Sequence, residues 1–186
     1  MALIGLGRFS EAGYILESLV NEVQTTAPDE RAALLAEAGN AWMLANDLER
    51  ALGALDAAIE LTPDNASLYV DRALALALAG DYWAAVDDLN QAEVLAPDRS
   101  DVLLFRATAY RLLEVWELAA ADLERLLALS PDNAEAYLER GNLRRLTGDD
   151  AGARQDWLKV LQLDPEGPSG QAARDNLEKL DVKQDG

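Results

Sequence analysis

The chain has 186 residues, half of them hydrophobic and 27% charged, with 34 acids against 16 bases and a formal charge of −18. That is enough chain for one domain with a core or for one array of small repeats, and too apolar to be disordered over most of its length. With no Cys and no His it lacks thiol nucleophiles, imidazole bases and nearly every usual zinc site, and its redox compartment stays open.

Five of the six prolines stand on a ladder, Pro28, Pro63, Pro97, Pro131 and Pro165, spaced 35, 34, 34 and 34 residues. A period of that length marks a repeat architecture. It divides the chain into units 32–65, 66–99, 100–133 and 134–167, each read as two amphipathic helices with an internal turn. Ahead of them, GRFSEAGYILESLV at residues 7–20 matches the turn and second helix of a unit. Gly7 takes the turn, Phe9 the aromatic place, Ala12 the small contact, and Leu16 and Leu19 the core face. Residues 1–31 are therefore read as a partial unit: half a first helix in MALIGL, then a second helix longer by about one turn. The opening run is short and has no basic residue before it, a poor secretory signal.

Inside the units the turn calls for a left-handed residue, supplied by Asn46, Gly80 and Gly148. Glu114 holds that place in the third unit, where a Cβ is less comfortable at positive φ, and it predicts an altered turn. In the fourth unit Pro131 stops one helix, Asp132 is expected to cap the next with Glu135 completing a capping box, and that helix runs to about Leu146. Pro168 and Ser169 open a last helix over 168–180, with Ala173, Leu177 and Leu180 on one face and Arg174, Asp175, Glu178 and Lys179 elsewhere. It reads as a capping helix, and 181–186 as a disordered tail.

Small residues recur where two helices must touch: Gly39, Ala73, Ala107 and Gly141, then Ala51, Ala85, Ala119 and Ala153. Larger ones fill between them: Leu35, Tyr69, Leu103 and Tyr137; Trp42, Leu76 and Tyr110, a series that Arg144 breaks; and Leu55, Leu89, Leu123 and Trp157. The Arg144 stem is expected to lie over apolar surface with its head in water. The 34-residue spacing, the small-large-small pattern and the terminal proline resemble the tetratricopeptide repeat, or TPR, over all of residues 32–167. The resemblance implies an all-α fold, a right-handed superhelical solenoid of antiparallel helix pairs with a concave groove. Leu126 and Val160 depart from it, standing where Ala58 and Ala92 supply small residues, and predict looser packing in the later units.

The period also exposes a charge ladder. Arg72, Arg106 and Arg140 recur every 34 residues, each followed sixteen residues later by Asp88, Asp122 or Asp156, while the first unit has Ala38 and Ala54 at the two places. Arg and Asp are present together or absent together, which predicts three ion pairs joining first to second helices.

In TPR folds the first helices line the groove. Carried over residue by residue, that face comprises Asn40 and Leu44; Val70, Asp71, Leu74 and Leu78; Leu104, Phe105, Thr108, Arg111 and Leu112; and Leu138, Glu139, Asn142, Arg145 and Leu146, with Asp101 and Glu135 at acidic edges. For Leu78, Leu112 and Leu146 the alternative to the groove, and the favoured one, is that they merely pack between units. Some TPR proteins clamp the terminal carboxylate of chaperone tails with Lys, Asn and Arg on this face. Here only Asn40 fits, Ala36, Asp71, Asp101 and Phe105 occupying the other clamp places, so such tails are not expected.

The implied function is a non-enzymatic scaffold holding a peptide or helix through apolar anchors, with an acidic rim favouring basic partners. The alternative is a homodimer formed through the incomplete N-terminal repeat. GxSxG, GxxxxGK[ST] and HExxH are absent, and no acids have calcium-loop spacing, so no catalytic residue, metal or cofactor is expected. The negative charge repels phosphate backbones and anionic lipid heads, and no run approaches the ~18 apolar residues of a membrane span. Scarce lysine (Lys159, Lys179, Lys183) and abundant alanine point to a GC-rich bacterial gene; the compartment is not fixed, with the cytoplasm as the default and the periplasm the alternative if the N-terminus is a processed or trimmed start.

Overall fold

The computed structural model describes residues 5, 7–22 and 27–184, so the expected half-helix over 1–6, the extra turn at 23–26 and the end of the tail lie outside it, residue 5 apart. Among the described residues the regular elements are α-helices: α1 Phe9–Glu22, α2 Pro28–Leu44, α3 Leu48–Leu61, α4 Ala66–Leu78, α5 Tyr82–Leu95, α6 Ser100–Leu112, α7 Trp116–Leu129, α8 Ala134–Leu146, α9 Asp150–Leu163 and α10 Pro168–Gln184. They fall into two compact bodies, Met1–Pro97 with α1–α5 and Asp98–Gly186 with α6–α10.

Helices α2 and α3, α4 and α5, α6 and α7, and α8 and α9 each lie against one another across a three-residue turn, which makes each pair antiparallel. The turns share one geometry. Asn46, Gly80, Glu114 and Gly148 have φ of 59°, 84°, 60° and 90°. The next residue's N–H returns to the carbonyl five back, Asp47 to Trp42, Asp81 to Leu76, Val115 to Tyr110 and Asp149 to Arg144, at 2.8–2.9 Å. The turn at Glu114 is therefore not altered; its closing bonds hold a side chain in a region that costs it about 1–2 kcal/mol.

Asp47, Asp81 and Asp149 then cap α3, α5 and α9 by accepting from the N–H of Arg50, Ala84 and Gly152, whereas Val115 offers α7 no cap. Helix α8 is capped by Asn133, which accepts from the Ala136 N–H at 2.8 Å, and not by Asp132. The cap stands one residue before the first helical residue, and α8 begins at Ala134.

In the first body Trp42, Ala51, Leu55 and Ala75 form one core cluster and Ala32, Ala58, Ile59 and Leu68 another. In the second, Leu103, Leu123, Leu126 and Ala136 form a cluster, and Trp157, Val160, Ala173 and Leu180 close the C-terminal end. Glycine marks close approaches between paired helices: a Cβ on Gly141 would lie 2.5 Å from the Trp157 indole nitrogen, and one on Gly39 2.7 Å from Leu55. The predicted loosening is absent. Leu126 and Val160 are 0% exposed, their bulk absorbed by the clusters around them.

Two further expectations are corrected. The Arg144 head is held by bonds as well as by water: with the side chain a third exposed, its Nη1 donates to Asp156 Oδ2 at 2.8 Å and to the Gly152 carbonyl. Helix α10 continues past 180 to Gln184, anchored by buried Leu180 and by an ion pair from Arg154 to Asp181.

Candidate functional site

The first helices are α2 and α4 in the first body and α6 and α8 in the second, and each positions a different part of the expected binding face. In the first body Leu44 is exposed, Asn40, Asp71 and Leu74 are half-buried, and Val70 is buried at 4% exposure. Val70 is thus part of the interior and cannot anchor a ligand. A cleft of about 470 Å³ opens beside them, and its charged lining is wholly acidic: Asp29, Glu37, Asp64 and Asp71.

In the second body Leu104, Phe105, Thr108, Arg111, Leu138, Asn142 and Arg145 are half-buried, and the Thr108 hydroxyl donates to the Leu104 carbonyl. Glu139 is buried and tied to Arg111 in an ion pair, with the Asn142 amide 3.4 Å from its other oxygen. It holds α6 to α8 and is not a free carboxylate for a partner. The acidic edge at Asp101 is likewise engaged: hydrogen bonds from Arg99, one at 2.6 Å, hold its carboxyl below the usual range despite partial burial.

The chain of contacts runs on into α10. Asn176 Nδ2 donates to Asn142 Oδ1 at 2.9 Å, and Arg145 pairs with Asp150 at 2.9 Å. Around them lies a cleft of about 550 Å³ whose walls include Arg111, Asn142, Arg145, Leu146, Asn176 and Lys179. Asn176 and Lys179 were not among the expected groove residues, yet both stand 34 residues after one that was. Following the period one step past Pro168 finds them.

Leu78, Leu112 and Leu146 do not pack between units. They are 65%, 44% and 57% exposed, and Leu44, one period earlier, is 55% exposed. Each is the last residue of its first helix, at the turn into the second.

The three Arg-Asp partners meet as forks. Arg72 Nε and Nη2 reach Asp88 at 2.7 and 2.6 Å, those of Arg106 reach Asp122 at 2.7 Å each, and those of Arg140 reach Asp156 at 3.0 and 2.7 Å. All three aspartates are buried, and Asp56 adds a second bond to Arg72 at 2.7 Å. The hydrogen bond to Asp88 pushes the Arg72 guanidinium above its ordinary pKa against the cost of burial, and that to Asp156 does the same for Arg140. Tyr137 and Tyr69 lie under the guanidinium groups of Arg140 and Arg72, 5.2 and 5.7 Å from ring centre. Arg106 and Asp122 have side chains 11% and 10% exposed, the most enclosed of the three pairs by their combined exposure.

These features define an all-α helical-repeat protein built from 34-residue helix pairs. The family model described as tetratricopeptide repeat matches residues 37–101 and 105–168, and the chain belongs to that family, whose repeats are protein–protein interaction modules. A tetratricopeptide repeat protein from Parabacteroides merdae is similar over 98% of this chain and 70% of its own, with a TM-score of 0.82 at 19% identity. A thermophilic TPR protein of Thermus thermophilus gives 0.76 at 21% identity, covering 97% of this chain and 94% of its own. The second TPR domain of human RPAP3, solved with an HSP70 peptide, gives 0.60 at 29% identity over 63% of this chain and 98% of that domain. No curated protein matches the sequence. Among the described residues no helix is long and apolar enough to cross a membrane.

Proposed function

We propose that the chain is a non-enzymatic scaffold that holds a peptide or helix of a protein partner against its first-helix face, mainly through apolar anchors. One observation carries this reading: Leu44, Leu78, Leu112 and Leu146 recur at a single register and are all largely exposed. Each anchor fully buried by a ligand contributes about 1.5–3 kcal/mol, against under ~1 kcal/mol for an exposed rim charge. Half-buried apolar residues stand with these leucines in each body, Leu74 in the first and Leu104, Phe105 and Leu138 in the second. The acidic cleft of the first body supports a partner that brings Lys or Arg to that end.

Partner capture by the intact chain, compared with Phe105→Glu and with a Leu112→Asp/Leu146→Asp variant, tests the reading. Both variants are expected to keep their helical circular dichroism and lose the partner; undiminished capture would refute the face.

A second reading, self-association, draws on Tyr14, Ile15 and Leu19 of α1, which are 54%, 50% and 37% exposed. They lie in the repeat for which an N-terminal pairing surface was expected.

A further inference from the structure

The 16 basic residues are unevenly spread, four in the first body and twelve in the second. Three of the twelve, Arg111 on α6, Arg145 on α8 and Lys179 on α10, are one period apart and line the same 550 Å³ cleft. With them stand two amides, Asn142 and Asn176, and the apolar Leu146; no carboxylate is in the wall. In a chain with twice as many acids as bases, a cleft walled by three cations and no acid is the reverse of what composition gives by default.

The acids nearest these cations leave donors over. Glu139 takes the Arg111 Nε and Asp150 one Arg145 Nη1, but a guanidinium has five N–H donors. Lys179 is exposed and makes no ion pair among the described residues. We propose that this cleft is a carboxylate-accepting pocket for an acidic segment of a protein partner, with Asp or Glu side chains on Lys179, Arg145 and Arg111 and an apolar neighbour on Leu146. The spacing suits an extended chain. Adjacent packed helices are about 8–10 Å apart, close to the reach of three extended residues at ~3.3 Å each, so acids three apart meet successive cations. The segment lies at places other than the clamp positions that Ala36, Asp71, Asp101 and Phe105 fill here.

The proposal rests on the first helices forming the binding face, and the test separates the two. A labelled nine-residue Glu-Leu peptide with Glu at every third place and Leu and Ser between, and its Lys-Leu counterpart, are titrated by fluorescence anisotropy into the intact chain, Lys179→Glu, Arg145→Gln and Phe105→Glu. The Glu-Leu peptide is expected to bind the intact chain and to weaken at least tenfold in Lys179→Glu and several-fold in Arg145→Gln. Raising the salt is expected to weaken it further. Equal affinity in the intact chain and Lys179→Glu, or no binding to the intact chain, overturns the pocket. Loss confined to Phe105→Glu overturns the pocket and leaves the face standing. Because Lys179 is solvent-exposed, its variant is expected to fold, and unchanged circular dichroism checks that.

Discussion

Arg106 and Asp122 show what a repeated ion pair does in this interior. Both side chains are about nine-tenths buried, and a two-bond fork ties each to the other. Removing one partner from such a pair leaves a buried charge, and Arg106→Ala is expected to cost about 3–5 kcal/mol by urea denaturation. Replacing both with apolar residues is expected to recover most of that loss, as Ala38 and Ala54, buried at the same two places of the first unit, already suggest. A single variant as stable as the parent would show that the pair contributes nothing. The pairing was legible before any coordinates because Arg and Asp rise and fall together across four copies. The burial of Glu139 was not: a carboxylate on a first helix reads as rim until Arg111, 28 residues earlier, is found against it.

Among the elements, the third turn departs most from its siblings in sequence yet keeps their closing bond. Glu114 sits at φ 60° where Gly80 and Gly148 sit without a Cβ, and Val115 stands where three aspartates cap. Glu114→Gly and Val115→Asp are each expected to raise stability by about 1 kcal/mol, the first by relieving the left-handed strain and the second by supplying the missing acceptor. Thermal unfolding checks this: a rise of about 2–4 °C for each is the expected scale for a chain of this size, and a fall in either would refute its part. Helix number, pairing and most boundaries could be read from the proline ladder, because the period places each turn four times over. The choice of Asn133 over Asp132 could not, since both can cap and only the backbone's point of entry into α8 decides.

At the scale of the whole molecule, the sign of the proposed binding face was half legible. A charge of −18 predicts acidic rims, which the first-body cleft has, but the average conceals a local reversal in the second body. Lys179 was read as the outer side of a cap because a helix wheel distinguishes apolar from polar faces, not one polar face from another. The exposure of the leucine ladder was also half legible: the resemblance put those leucines on the groove face, while amphipathic spacing, which says that a leucine prefers burial, favoured packing between units for three of them. Self-association is tested at this scale. If the α1 surface pairs with a second copy, light scattering is expected to report a concentration-dependent dimer that Ile15→Asp abolishes; a monomer at high concentration would rule it out.

Lysine scarcity gives Lys179 a second significance. With Lys159 and Lys183 as the other lysines in the chain, and Lys159 4.0 Å from Asp132 in the same body, an amine-selective reagent has very few side chains to modify. The ammonium in the cleft wall is therefore a built-in chemical reporter. Any occupant that covers it leaves an unmodified mass at one residue, and any enzyme that acylates lysine would erase one of the pocket's three charges by a single reaction.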